Sequence, residues 1–173
     1  MLLRPWRAED AEALAPMLAA NAGHLGPWIP PHVWTPVPPP SLAKRLEAFA
    51  DDFAAGRGFR YALLTLDESR LLGEADLFPR NAASRVPLAD ADRVELGYWL
   101  DAAVTGQGFA TEAMRALLEV ASALPGIGHA EIRCDERNAR SAAVPQRLGF
   151  ALTNSTGTMQ VWSSQRSVHQ EAT

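Results

Sequence analysis

The stretch Val104–Thr105–Gly106–Gln107–Gly108–Phe109–Ala110–Thr111–Glu112–Ala113 sets two glycines one residue apart, directly before an apolar period. Ala110, Ala113, Met114, Leu117, Leu118, Ala121 and Leu124 recur at the spacing of one helix face. In front of the glycines, Val94–Leu100 (VELGYWL) is short, apolar and aromatic, and reads as a strand. Strand, glycine loop and helix in that order point backbone amides outward at a helix N-terminus, where the dipole and the unpaired N–H groups favour an anion. Gly106 and Gly108 lack the Cβ that would hold a phosphate away from the backbone. The chemistry this arrangement suits is a pyrophosphate cradle. The bland alternative is a glycine turn that only starts a packed helix.

Other residue types along the chain could act on protons. Glu95 lies on the Val94–Leu100 strand, Glu74 on the strand before it, and Asp135 at the end of the strand after it. Alternation along a half-buried strand leaves Glu95 facing either the interior or solvent. Asn138 and Ser141 form Asn-x-x-Ser at the start of a helix, where Asn is a strong N-cap. Glu112 reads as a first-turn partner of the helix dipole. Cys134, the single cysteine, excludes an internal disulfide and a CxxC site and reads as a small buried strand residue. His24 and His32 are lone histidines, and no metal is assigned.

The positioning elements follow from the same patterns. Leu2–Trp6 is a short strand, and Glu9–Ala20 is a helix that Pro16 should kink or break early. Residues 21–40 are rich in Gly, Pro and Trp but carry Leu25, Trp28, Ile29, Val33 and Trp34, so they read as an ordered loop packed on the body. Trp28, Trp34 and Phe59 read as core aromatics, with Trp28 also in that loop. Ser41 then caps a helix through Leu42, Leu46, Phe49 and Phe53. Phe59–Leu66 and Leu71–Phe78 form a hairpin, and 79–93 is a polar loop. After the glycine-loop helix come a strand at Ala130–Asp135, a short helix from Asn138 to about Leu148 bent at Pro145, and a last hairpin of Phe150–Thr153 and Met159–Ser163. The tail from Gln165 is polar and loose. The order predicts an α/β chain: a mixed sheet of about seven strands with helices on both faces, antiparallel at its start.

At 173 residues the chain is a single domain, 1–173, with room for a real core. A net charge of -4, from 16 basic and 20 acidic residues, argues against a nucleic-acid surface. No apolar run approaches a membrane span, and MLLRPWRAED has no signal-peptide core, so a cytoplasmic location is expected.

The runs ELGYWLDAAVTGQGFATEA and IRCDERNARSAAVPQRLGF, with LLRPWRAEDAEAL and Trp28–Ile29–Pro30, resemble the GNAT acyl-CoA N-acetyltransferases, and among them the Rim type that acetylates N-terminal amines of ribosomal proteins. The resemblance covers nearly the whole chain. It implies a GNAT fold and acetyl-CoA as acyl donor. The acceptor is then a primary amine: a protein N-terminal α-amine or, alternatively, a small amine such as a polyamine, an antibiotic or an amino acid. A non-catalytic acyl-CoA-binding module is the reading from another class, and a homodimer is a family-level expectation. The backbone near Tyr98, Trp99 and Leu100 is implied to meet the pantetheine arm and thioester. Gly106, Gln107, Gly108, Phe109, Ala110 and Thr111 would hold the pyrophosphate. Asn138 would contact the pantetheine and Ser141 protonate the leaving thiolate. Trp28 would border the acceptor. Glu95, raised in pKa by an apolar, partly dry setting, is the expected base, with Glu74 and Asp135 as rivals. One position departs from the family's loop. Thr105 stands where a long Arg or Gln side chain is usual, so pyrophosphate binding rests on the backbone amides.

Overall fold

The computed structural model describes residues 1–164; the expected loose tail from Gln165 lies outside them. Seven strands form one mixed sheet: β1 (Leu2–Pro5), β2 (Phe59–Leu64), β3 (Leu71–Arg80), β4 (Arg93–Leu100), β5 (His129–Asp135), β6 (Ala151–Thr156) and β7 (Met159–Ser163). Their spatial order is β1-β2-β3-β4-β5-β7-β6. Neighbours run antiparallel except β4 and β5. Parallel neighbours need a long crossover, and α4 (Phe109–Ala123) supplies it.

The β4–β5 pairing covers only Arg93–Leu96 against His129–Ile132, although β4 runs on to Leu100 and β5 to Asp135. Beyond Leu96 and Ile132 the two strands part, and the sheet opens at its centre.

Side-chain alternation sorts the strands onto two cores. Leu63, Leu72, Ala75, Leu77, Val94 and Leu96 pack with Ala113, Met114 and Leu117 of α4 and with Ala142 and Val144 of α5 (Ala139–Arg147). On the opposite face Ala62, Leu64 and Trp99 pack with Trp6, with Leu14 and Leu18 of α1 (Ala11–Leu25), and with Leu42 and Leu46 of α3 (Pro39–Ala54). Helices on both faces of a seven-stranded mixed sheet is the architecture expected. Among the described residues no helix is long and apolar enough to cross a membrane.

Several local expectations are corrected. Residues 21–40 are not one loop: α1 continues to Leu25, a single turn α2 spans Pro31–Trp34, and α3 starts at Pro39. Ser41 is therefore inside the first turn of α3, and Pro38 holds the N-cap position. The proline run that reads as a breaker is the start of a helix, because Pro fits the first turn, where its missing N–H has no partner to lose. Pro16 sits inside α1, which continues past it for more than two turns. Strand β3 extends through Pro79 to Arg80. A proline is tolerated there because β2 stops pairing at Leu77, so no β2 carbonyl faces the missing N–H; on that edge the Pro79 carbonyl accepts from the Val86 N–H at 3.1 Å.

Candidate active site

A cleft of about 1140 Å³ passes through the split between β4 and β5. Its walls include Leu96–Leu100 of β4, Arg133–Asp135 of β5, Gly106 and Gly108, the start of α4 and much of α5. At the α1 end it reaches His24, Trp28 and Ile29. It thus opens to both faces of the sheet. Of the expected donor-binding residues, Tyr98, Trp99, Leu100, Gly106, Gly108, Ala110, Thr111, Asn138 and Ser141 line it. Gln107 and Phe109 do not. The Gln107 side chain turns back to Ala103, donating to its carbonyl at 3.4 Å, and Phe109 packs against the α4-side core.

The loop geometry follows from its glycines. Gly106 (φ 79°) and Gly108 (φ 90°) both occupy the left-handed region that a side chain disfavours. Gly108 is the N-cap of α4 and has no side chain to occupy the helix's first amides. Those amides face the cleft with their dipole unopposed by a cap, an arrangement that suits a phosphate.

Strand β4 and α5 meet through Tyr98. Its hydroxyl donates to the Ser141 carbonyl at 3.0 Å and lies 2.9 Å from Ser141 Oγ. The Ser141 carbonyl is free to accept because the residue four positions on, Pro145, has no N–H to give it. The proline that reads as a flaw in α5 thereby creates the acceptor that fixes Tyr98. Burial pushes the Tyr98 phenol well above its ordinary pKa, so it keeps its proton. Asn138 caps α5 by accepting from the Ser141 backbone N–H at 3.1 Å. Cys134 also lines the cleft, buried, with its thiol pushed up by burial.

Positive charge comes from residues that the motif reading did not single out. Arg115, Arg133, Arg137, Arg140 and Arg147 line the cleft, three of them on or beside α5. Arg140 reaches back to Thr105, with Nη1 3.5 Å from Oγ1. A guanidinium from another helix thus stands beside the position where the family's loop usually carries its own long side chain. Four of the arginines lie in the stretch 133–147, so the charge was visible in the sequence, but its direction was not.

The candidate bases separate sharply. Glu95 does not line the cleft. Its carboxylate pairs with Arg80 and Arg85, and Arg133 Nε is 3.6 Å away. The apolar, partly dry setting expected for it is instead a cage of guanidinium groups, which holds the carboxylate as an acceptor of their bonds. Asp135 does line the cleft, but hydrogen bonds from the Arg137 side chain and backbone hold its pKa well below the ordinary carboxylate range. Glu74 is buried, and each oxygen accepts an indole N–H: Trp6 at 2.8 Å and Trp99 at 3.1 Å. Trp28 is 41% exposed at the α1 end of the cleft, an unusual position for a tryptophan that does nothing but pack.

Residues 1–151 match the acetyltransferase (GNAT) domain family, and the chain belongs to it. It is an acyl-CoA-dependent N-acetyltransferase. Among its relatives, the putative ribosomal N-acetyltransferase YdaF of Bacillus subtilis (strain 168) is 30% identical over 153 residues, which span 86% of this chain and 75% of YdaF. Solved structures share the fold. The ribosomal-protein-S5-alanine acetyltransferase of Vibrio fischeri superposes with a TM-score of 0.78 at 20% identity, covering 96% of this chain and 93% of that one. RimL, a ribosomal L7/L12 α-N-protein acetyltransferase solved with coenzyme A, gives 0.76 at 18% identity over 94% and 92%. The microcin C7 self-immunity acetyltransferase MccE, solved with acetyl-CoA and AMP, also gives 0.76, at 17% identity over 94% and 90%.

Proposed function

We propose that this enzyme acetylates the α-amine at the N-terminus of a protein, with acetyl-CoA entering from the α4–α5 side of the split sheet and the acceptor from the α1 side. The observation that carries this reading is the cleft that runs through the sheet. One end is lined by glycine amides and arginines, and the other by an exposed tryptophan. The names of the relatives at ribosomal proteins support the acceptor class.

The residues present fit acetyl-CoA. The first amides of α4 at Gly108–Ala110 would hold the pyrophosphate, and the arginines of α5 would add charge beside Thr105. The unpaired edge of β4 at Gly97–Leu100 would offer backbone groups to an extended pantetheine arm. Asn138 spends its Oδ1 on the α5 cap, which leaves its amide N–H₂ to donate into the cleft. When bound, acetyl-CoA supplies an activated acyl carbon and a thiolate leaving group. This chain's own part in the chemistry is protons. Tyr98, kept protonated by burial and bonded to Ser141 Oγ, forms with Ser141 a two-hydroxyl donor for the leaving sulfur.

The test is a turnover screen with acetyl-CoA across peptides of differing N-termini, polyamines, aminoglycosides and amino acids. The reading expects peptides to give the highest kcat/KM. A small amine that outperforms every peptide would replace the acceptor class. Tight coenzyme A binding by calorimetry with no turnover of any amine would leave only an acyl-CoA-binding module.

A further inference from the structure

With Glu95 caged, Asp135 held by Arg137, Glu74 held by two indoles and Glu112 of the cleft lining 3.3 Å from the Met1 amine, Asp76 remains among the described residues as a carboxylate beside the cleft without an assigned partner. Asp76 lies on β3, on the same face as Glu74, and Gly97 is its partner across to β4. A Cβ built on Gly97 would sit 3.4 Å from Asp76 Oδ2, so the carboxylate lies directly over that glycine. Gly97 is the first β4 residue beyond the last β4–β5 pair, and it lines the cleft. Asp76 therefore stands over the start of the split, on the face that also carries Trp28 and the α1–α3 helices.

Its surroundings leave it unsatisfied. Oδ1 is out of contact with solvent and has no hydrogen-bond partner among the described residues. The natural partner would be Arg60, directly across on β2. That guanidinium is diverted: it stacks over the rings of Phe49 and Phe78, at 4.1 and 4.9 Å, and lies 3.5 Å from Asp52. An orphaned buried carboxylate oxygen is expensive, and such groups in native folds call for an explanation. A ligand that donates hydrogen bonds is one.

We infer that Asp76 receives the acceptor's ammonium group at the mouth of the split and takes its proton. This rests on the two-sided cleft assigned above. The ammonium loses two protons over the reaction. Asp76 accepts the first and later releases it to solvent. The freed nitrogen forms the N–C bond to the acyl carbon, and the C–S bond breaks. The second proton leaves the nitrogen and offsets the one that the Tyr98–Ser141 pair gives to sulfur. The environment favours the task. Burial, and then the charge of Glu74 on the same strand, raise the Asp76 pKa well above the ordinary carboxylate range; Arg60 and Arg85 oppose this, and Glu95 adds to it. A raised pKa brings the carboxylate closer to the range of a protein α-amine, ~7.7–8.0.

The decisive variant is Asp76→Asn, which keeps the shape and removes the proton acceptor. The expected loss in kcat/KM for the acceptor at neutral pH is roughly 10²-fold or more, shrinking as pH rises and the amine deprotonates unaided. Acetyl-CoA affinity by calorimetry should not change. Stability gives a readout apart from turnover. A carboxyl whose folded-state pKa is raised costs stability as pH climbs from the unfolded-state pKa towards that value, in full above it. Asp76→Asn should therefore melt no lower than wild type at pH 8. The Asp76 carboxyl carbon followed by NMR should titrate above the range of an exposed aspartate. An unchanged pH–rate profile in Asp76→Asn, or an ordinary NMR titration, overturns the inference while leaving the acetyltransferase reading intact. Failure of wild type to bind coenzyme A would instead strike at that reading.

Discussion

The two ends of the cleft are built in different ways. The donor end is local: a strand, a glycine turn and a helix that follow one another within Val94–Ala123, joined by α5 from Asn138. The groups proposed to bind there are largely backbone amides, and their direction follows from helix geometry and from φ at Gly106 and Gly108. The acceptor end is assembled from distant parts. On the proposed reading Trp28 comes from beyond α1 and Asp76 from β3, while Glu95 of β4 and its partners Arg80 and Arg85 lie outside the cleft lining. Its groups are side chains, and each one's chemistry is set by which other side chain reaches it. On that reading, donor recognition is a property of a stretch of sequence, and acceptor chemistry a property of the folded sheet.

The largest effect expected at the donor end is at Tyr98. Tyr98→Phe keeps the ring and removes both hydroxyl contacts to Ser141. Its kcat should fall by about 10²-fold with little change in acetyl-CoA KM, the mark of an interaction made mainly in the transition state. Ser141→Ala should lose less, because the Tyr98 hydroxyl remains in place and its proton can turn from the residue-141 carbonyl to the sulfur. Stopped-flow or steady-state rates at a pH where chemistry limits turnover decide it. A Ser141→Ala deficit exceeding that of Tyr98→Phe would make the serine the direct donor and the tyrosine its support.

At the acceptor end the matching test is Glu95→Gln. Its removal leaves the Arg80 guanidinium, 9% exposed, without its closest counter-charge. Breaking such a pair costs about 3 kcal/mol. The expected outcome is a lower midpoint in urea at unchanged m-value, with a pH–rate profile like wild type. If Glu95→Gln instead showed the neutral-pH deficit that shrinks as pH rises, and Asp76→Asn kept the wild-type profile, the two carboxylates would exchange roles.

What could be read from the sequence tracks the same division. The glycine loop, Asn138 as cap and the succession of seven strands along the chain follow from nearest-neighbour patterns, and the structure has them where the patterns put them. The spatial order of those strands does not follow from such patterns. The proline-rich segment misled for a physical reason: a proline reads as a breaker, yet at the first turn of α3 it is a starter. Glu95 illustrates the deeper limit. Alternation says which face of a strand a residue takes, but not that Arg80, Arg85 and Arg133 converge on that face. Asp76 carries no signal in the sequence, because nothing local announces that its cross-strand partner Arg60 stacks over Phe49 and Phe78.

Arg140 gives the smallest effect and the finest test of the division, because it is a donor-end side chain that reaches the glycine stretch from outside it. If backbone amides supply most of the pyrophosphate site, losing an exposed guanidinium should cost only the ~1 kcal/mol of a screened ion pair, about a 5-fold rise in acetyl-CoA Kd. The deficit should shrink further at high salt, since exposed charges separated by more than a Debye length are screened. Restoring the long side chain in the loop itself should recover it: Thr105→Arg in the Arg140→Ala background places a guanidinium where Arg140 now reaches, 3.5 Å from Thr105 Oγ1. Calorimetry on the four proteins of this double-mutant cycle would show the two substitutions compensating. A loss of 50-fold or more in Arg140→Ala would mean that side-chain charge, and not the amides of Gly106–Ala110, dominates the donor end as well, and the contrast between the two ends would fall with it.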